Sequence, residues 1–172
     1  YYSINLLFMK KFTLFIFLIL GNSCFSQGLP SHFTDYLWGR ISCNSIVDPL
    51  NHIDYFTKYI GSSYKQEQGA YFFKLNQKGN LFGINISETF VSDSTIPYFT
   101  FVGAIVDDTP DNVAKKLAEA QKGSYFPHNK NEQYKTYYNY SGSSIVWLGA
   151  TQSKIFCLNK TWPWNFSNKI IK

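Results

Sequence analysis

Two cysteines separated by more than a hundred residues, Cys43 and Cys157, constrain this chain more than any other feature. Their weight comes from what precedes them. Met9 to Gln27 reads MKKFTLFIFLILGNSCFSQ: two lysines, an apolar run from Phe12 to Leu20, then small and polar residues. That is the order of a secretory signal peptide, and the run is about half the roughly 20 apolar residues that a bilayer-spanning helix needs. Residues 1–8, YYSINLLF, lack a methionine and are read as translation upstream of the start. Residues 9–26 are then the signal peptide, and 27–172 a single exported domain in the periplasm or outside the cell. Cleavage after Ser26 removes Cys24; the alternative is a lipoprotein anchored through Cys24. In an oxidising compartment, the two remaining thiols are expected to pair. A loop that long is worth about 4–5 kcal/mol in the chain-entropy account.

A mature chain of this size supports one real core. Aromatic residues make up 19% and charged residues 16% of the sequence, a globular balance rather than a disordered one. The formal charge of +5 falls to +3 without Lys10 and Lys11. The lysines are scattered, with no run that would track a phosphate backbone, so no nucleic-acid partner is expected.

Local signals divide the chain into elements. Leu29–Gly39 reads as irregular and Arg40–Val47 as a short strand carrying Cys43. Asp48-Pro49 opens a helix over about 49–60, with Leu50, Ile53, Phe56 and Ile60 as its apolar stripe and Gly61 as its stop. Ser62–Gly69 reads as polar loop. Tyr71–Leu75 alternates as a strand, Asn76–Asn80 as a hairpin loop around Gly79, and Leu81–Ser87 as the return strand bearing Phe82, Ile84 and Ile86. Pro97–Val106 is the most apolar strand and is expected at the centre, with Gly103 admitting a close neighbour. Thr109-Pro110-Asp111 caps a second helix over about 110–121, with Val113, Leu117 and Ala120 buried and Gly123 beyond its end. Phe126–Asn131 reads as loop. Tyr134–Tyr140, Ile145–Leu148 and Lys154–Leu158 read as strands. The pattern predicts an α+β domain: a mainly antiparallel sheet of about five or six strands, with two helices on one face.

Catalytic signatures are missing. His32, His52 and His128 are too dispersed for a zinc motif, and there is no HExxH or CxxC, so no metal site is expected. His52 and Asp54 stand two apart on a helix and face different ways. No GxSxG elbow supports a serine nucleophile, and Ser141-Gly142-Ser143-Ser144 reads as a turn. No phosphate-cradling glycine loop precedes a helix, so no cofactor is expected. Glu88, Asp93, Asp107 and Asp108 at strand ends leave room for a carboxylate-pair hydrolase acting on glycan or peptidoglycan. Asn85, Asn139, Asn159 and Asn165 fit N-x-S/T and matter only in a eukaryotic secretory pathway.

Aromatic residues are the remaining signal. Tyr134, Tyr137, Tyr138 and Tyr140 crowd one segment, and Trp162-Pro163-Trp164 follows the last strand. Such residues anchor protein interfaces and also stack on sugars; Tyr138 and Tyr140 equally suit a packed sheet face. The expected function is an exported, non-enzymatic binding protein acting by protein–protein contact, such as an inhibitor or immunity protein. Tyr134, Tyr137, Trp162, Trp164, Asp107 and Asp108 are its candidate interface. The alternatives are the hydrolase and a carbohydrate or small-ligand carrier.

Overall fold

The computed structural model describes residues 28–45, 48–93, 95, 99–128 and 135–160. Among them, three helices and eight strands form one α+β unit. The leader, Cys24, Tyr134, Trp162, Trp164 and Asn165 lie outside the described residues.

Helix α1 (Phe33–Ile41) stands where irregular chain and a strand were expected. Phe33, Leu37 and Ile41, spaced by four, put one buried stripe on the sheet. No side-chain cap bond marks its start, so the usual sequence sign of a helix beginning is lacking. Cys43 follows in the turn beyond it, at φ 61°. Helix α2 (Pro49–Tyr59) begins as expected, the Asp48 side chain accepting from the Leu50 backbone N–H at 3.2 Å. Its buried face is rotated from the expected one. Leu50 is 62% exposed, whereas His52 and Phe56 are buried. The rotation follows from packing against α1, where the Tyr36 and Tyr55 rings stack with centroids 3.5 Å apart.

The sheet is wider than five or six strands. Strand β1 (Lys65–Glu67) and strand β2 (Ala70–Leu81) lead to β3 (Ile84–Ser92) and β4 (Phe99–Val106). Helix α3 (Pro110–Glu119) follows. Then come β5 (Phe126–Pro127), β6 (Thr136–Tyr138), β7 (Ser143–Gly149) and β8 (Gln152–Lys160). The order is β1-β2-β3-β4-β8-β7-β6-β5, and every pairing is antiparallel. Two four-stranded meanders thus meet at β4 and β8, with α3 carrying the chain from the centre to the far edge.

The expected hairpin loop at Asn76–Asn80 is instead strand: β2 runs through it, with a register irregularity between Lys74 and Gly79. The turn lies at Phe82-Gly83, both at positive φ (52° and 82°), between the paired residues Leu81 and Ile84. Two positive-φ residues make the tight turn that suits strand twist, and the Asn80 side chain accepts from the Gly83 N–H at 2.9 Å. The polar run that resembled a loop has its side chains in solvent along an extended strand.

Strand β4 is central, as expected, and Gly103 is the point of close approach. A Cβ there would lie 2.3 Å from Phe90 Cζ and 2.8 Å from the Ile155 carbonyl oxygen. Helix α3 is capped by Thr109 with Pro110 in its first turn. It buries Val113, Ala114 and Leu117, with Ala120 only half-covered. Cys43 and Cys157 form the expected disulfide, Cα atoms 5.2 Å apart, tying the end of α1 to β8. Such a bond fits an oxidising, extracytoplasmic setting. Among the described residues no helix is long and apolar enough to cross a membrane.

Candidate functional site

Alternation along the strands sorts the sheet into two faces. Phe73, Thr89, Ala104, Ile155, Ile145 and Tyr137 are successive cross-strand partners. They join the core under the helices, α1 on β2, β4 and β8, α2 on β2–β4, and α3 on β6–β8. One residue along each strand lies the opposite row: Lys65, Phe72, Phe90, Gly103, Phe156, Ser144, Tyr138 and Phe126. It crosses the whole sheet, and among the described residues no helix packs on it.

The row is largely aromatic. Phe72 and Phe90 have centroids 5.7 Å apart, Phe90 and Phe156 6.5 Å, and Phe101 lies 6.2 Å from Phe90. Phe90 leans over the space that Gly103 leaves. Leu158, Phe99, Leu148, Tyr138 and Phe126 extend the same face and remain exposed. Lys65 and Lys154 place their ammonium groups 5.0 and 5.9 Å from the Phe72 and Phe90 rings, within cation–π range.

At the far edge, beside the disulfide, a cleft of about 340 Å³ opens between three loops. Ser42 and Asn44 supply one wall, flanking Cys43. Lys122, Gly123 and Ser124 after α3 supply the second. Asn139, Tyr140 and Ser141 from the β6–β7 turn supply the third, with Phe126 beside them. Phe126 and Tyr140 have centroids 5.1 Å apart, and Tyr140 is 90% exposed. Asn139 Oδ1 accepts from the Ser143 N–H at 2.9 Å, leaving its amide NH2 as donor.

Of the expected interface residues, Tyr137, Asp107 and Asp108 lie among the described ones. Tyr137 sits on the helix side, where it hydrogen-bonds Asp111, a residue also held by Lys135 at 3.1 Å. Burial and that bond push the Tyr137 hydroxyl up to about 12. Partial burial works to raise the Asp111 carboxyl, but its bonds to Tyr137 and Lys135 win and hold it low. Asp108 accepts from Lys116 at 2.8 Å, from Asn112 and from the Thr109 N–H. Burial opposes its ionisation, yet these bonds outweigh it and keep its pKa below the ordinary value. Asp107 accepts from Gln152 at 3.2 Å. The aspartates are thus occupied within the domain, and the aromatic row is what sequence reasoning passed over. Its signal, Phe72, Phe90 and Phe156 in alternate-face positions, was hidden because each has an apolar neighbour facing the other way.

The candidate catalytic acids are likewise engaged within the domain. Glu88 accepts from the Tyr64 hydroxyl at 2.7 Å, and Asp93 from Gln66 and Thr95. His52 bonds Tyr36 rather than Asp54. Ser141 and Gly142 lie in the expected turn, whereas Ser143 and Ser144, read as part of it, begin β7. Among the described residues no three His, Cys, Asp or Glu groups converge as for a metal. Comparison with protein-family models, curated proteins and solved structures finds no match.

Proposed function

We propose that this chain is an extracytoplasmic binding protein that holds another protein on the helix-free face of its sheet, in the manner of an inhibitor or immunity protein. One observation carries the reading: the aromatic row from Phe72 to Phe126 faces away from all the described helices. Phe90 is already covered by its neighbouring rings, so the anchors are the rings still accessible on this face, such as Phe99, Tyr138 and Phe126. Aromatic side chains buried against a partner are strong anchors. A sheet pinned by a disulfide presents them with little loss of conformational freedom on binding, the condition for tight contact. Lys65 is already paired with Glu67, and Lys154 over the Phe90 ring favours a partner surface that is apolar with an acidic group opposite it.

The test is affinity capture from native extract, with wild-type protein and a Leu158→Asp variant. Leu158 is exposed on this face, so the variant folds while placing a charge in the contact. A protein retained by wild type and lost with Leu158→Asp is the expected result. Retention of no protein, or equal retention by the variant, ends this reading.

A further inference from the structure

We propose that the cleft between Ser42, Asn139 and Lys122 is a carbohydrate-binding site for an uncharged saccharide of one or two rings. This goes beyond the docking of a protein on the sheet and does not depend on it, although the two surfaces adjoin at Phe126.

The lining decides the ligand class. Among the described residues that line the cleft there is no carboxylate, which removes the donors that a hard cation needs. Its one cation, Lys122, already lies 4.5 Å from the Phe82 ring, and a lone, engaged ammonium is a poor phosphate cradle. Hydroxyl and amide groups from Ser42, Ser124, Ser141, Asn44 and Asn139 interrupt a lining that is otherwise mostly apolar, and covering them with a lipid chain would leave them unpaired at a cost. What suits such a wall is a molecule with hydroxyls on its rim and C–H groups on its faces. Tyr140 and Phe126, their rings tilted 52° to one another, offer apolar faces for those C–H groups. The volume of about 340 Å³ is at the small end of ligand sites, which run from about 300 to 1,000 Å³.

A second observation points to a bound polar group. Ser42 is 3% exposed, and its hydroxyl is buried with no hydrogen-bond partner. An orphaned buried hydroxyl is costly; its residue lines the cleft, with the oxygen itself sealed just behind the wall. Rotation of the Ser42 side chain toward the cleft lets a sugar hydroxyl, directly or through a water, supply the missing bond.

The fold also holds the site rigid. Ser42 and Asn44 flank Cys43, whose sulfur lies 3.5 Å from where a Gly142 Cβ would stand. Cys157 is the cross-strand partner of Ser143. The disulfide therefore clamps the Ser42–Asn44 wall to the Asn139–Gly142 turn, so the cleft is formed before the ligand arrives.

The experiment is titration calorimetry of the mature protein with chitotetraose, cellotetraose and mannotetraose, repeated on Tyr140→Ala and Asn44→Ala. Tyr140 is almost wholly in solvent, so its truncation leaves the fold intact, and circular dichroism verifies this for both variants. Binding of at least one probe, weakened about tenfold or more by Tyr140→Ala, is the expected result. No heat from any probe at millimolar concentration overturns the proposal, and so does binding that neither variant weakens. Tyr140→Ala should still capture the protein partner proposed above; loss of sugar binding with capture intact separates the two sites.

Discussion

The Tyr36 hydroxyl and Nδ1 of His52 share a hydrogen bond at 2.6 Å, across the junction of α1 and α2. His52 is 2% exposed, and its Nε2 has no partner among the described residues. Burial holds the ring neutral, because protonation would leave a charged Nε2–H buried without an acceptor. Burial, then the Arg40 guanidinium, lower the His52 pKa to about 4, with Asp48 opposing them.

Acid should therefore loosen the α1–α2 pair. The folded pKa lies below the unfolded value of about 6.5, so the unfolded chain binds the extra proton first. Stability from this group is complete above about pH 6.5 and is lost as pH falls toward 4. The full loss is on the order of 3 kcal/mol. Urea midpoints at pH 7 and pH 4.5 should differ accordingly, and His52→Leu should flatten the difference. An equal acid loss in His52→Leu would show that another group is responsible.

Gly103→Ala should destabilise the domain by about 1–3 kcal/mol or more. The new methyl meets Phe90 Cζ, which could swing, but also the Ile155 carbonyl oxygen at 2.8 Å, which is backbone in the adjoining central strand. A clear fall in thermal midpoint is expected. An unchanged midpoint would mean that β4 and β8 separate easily.

Removing the disulfide by Cys43→Ser should cost about 2–5 kcal/mol. Thiol titration of the denatured 27–172 chain should find no free thiol before reduction and two after it. Two free thiols at the outset would remove the clamp on the cleft as well as the link from α1 to β8.

Asp108→Ala should lower stability by about 1–3 kcal/mol. Its carboxylate ties Lys116, Asn112 and the Thr109 N–H to the start of α3. Chemical denaturation reads the loss, and capture of a partner on the opposite face should be unaffected. Capture that fails in a folded Asp108→Ala protein would return this residue to the interface.

Elements with their own covalent or capping signals were legible. Thr109-Pro110-Asp111 marks α3 and Asp48-Pro49 marks α2, because capping is satisfied within a few residues. The paired cysteines followed from compartment alone. Elements that exist only through a partner were not legible. Strands β1 and β5 have three and two residues, too few to show a period, and are strands because β2 and β6 pair with them. The Phe82-Gly83 turn escaped notice because a phenylalanine at positive φ is unusual.

The cleft and the open face belong wholly to the tertiary structure. By itself, the sequence determined an antiparallel α+β domain closed by Cys43 and Cys157, since alternation, caps and thiol chemistry act locally or through compartment. Which side of the sheet stays uncovered could not come from it. Phe72 and Phe73, Phe90 and Val91, and Ile155 and Phe156 are apolar on both faces of their strands, so alternation is silent there. Only the docking of α1, α2 and α3 on the Phe73, Val91 and Ile155 side decided that Phe72, Phe90 and Phe156 face outward.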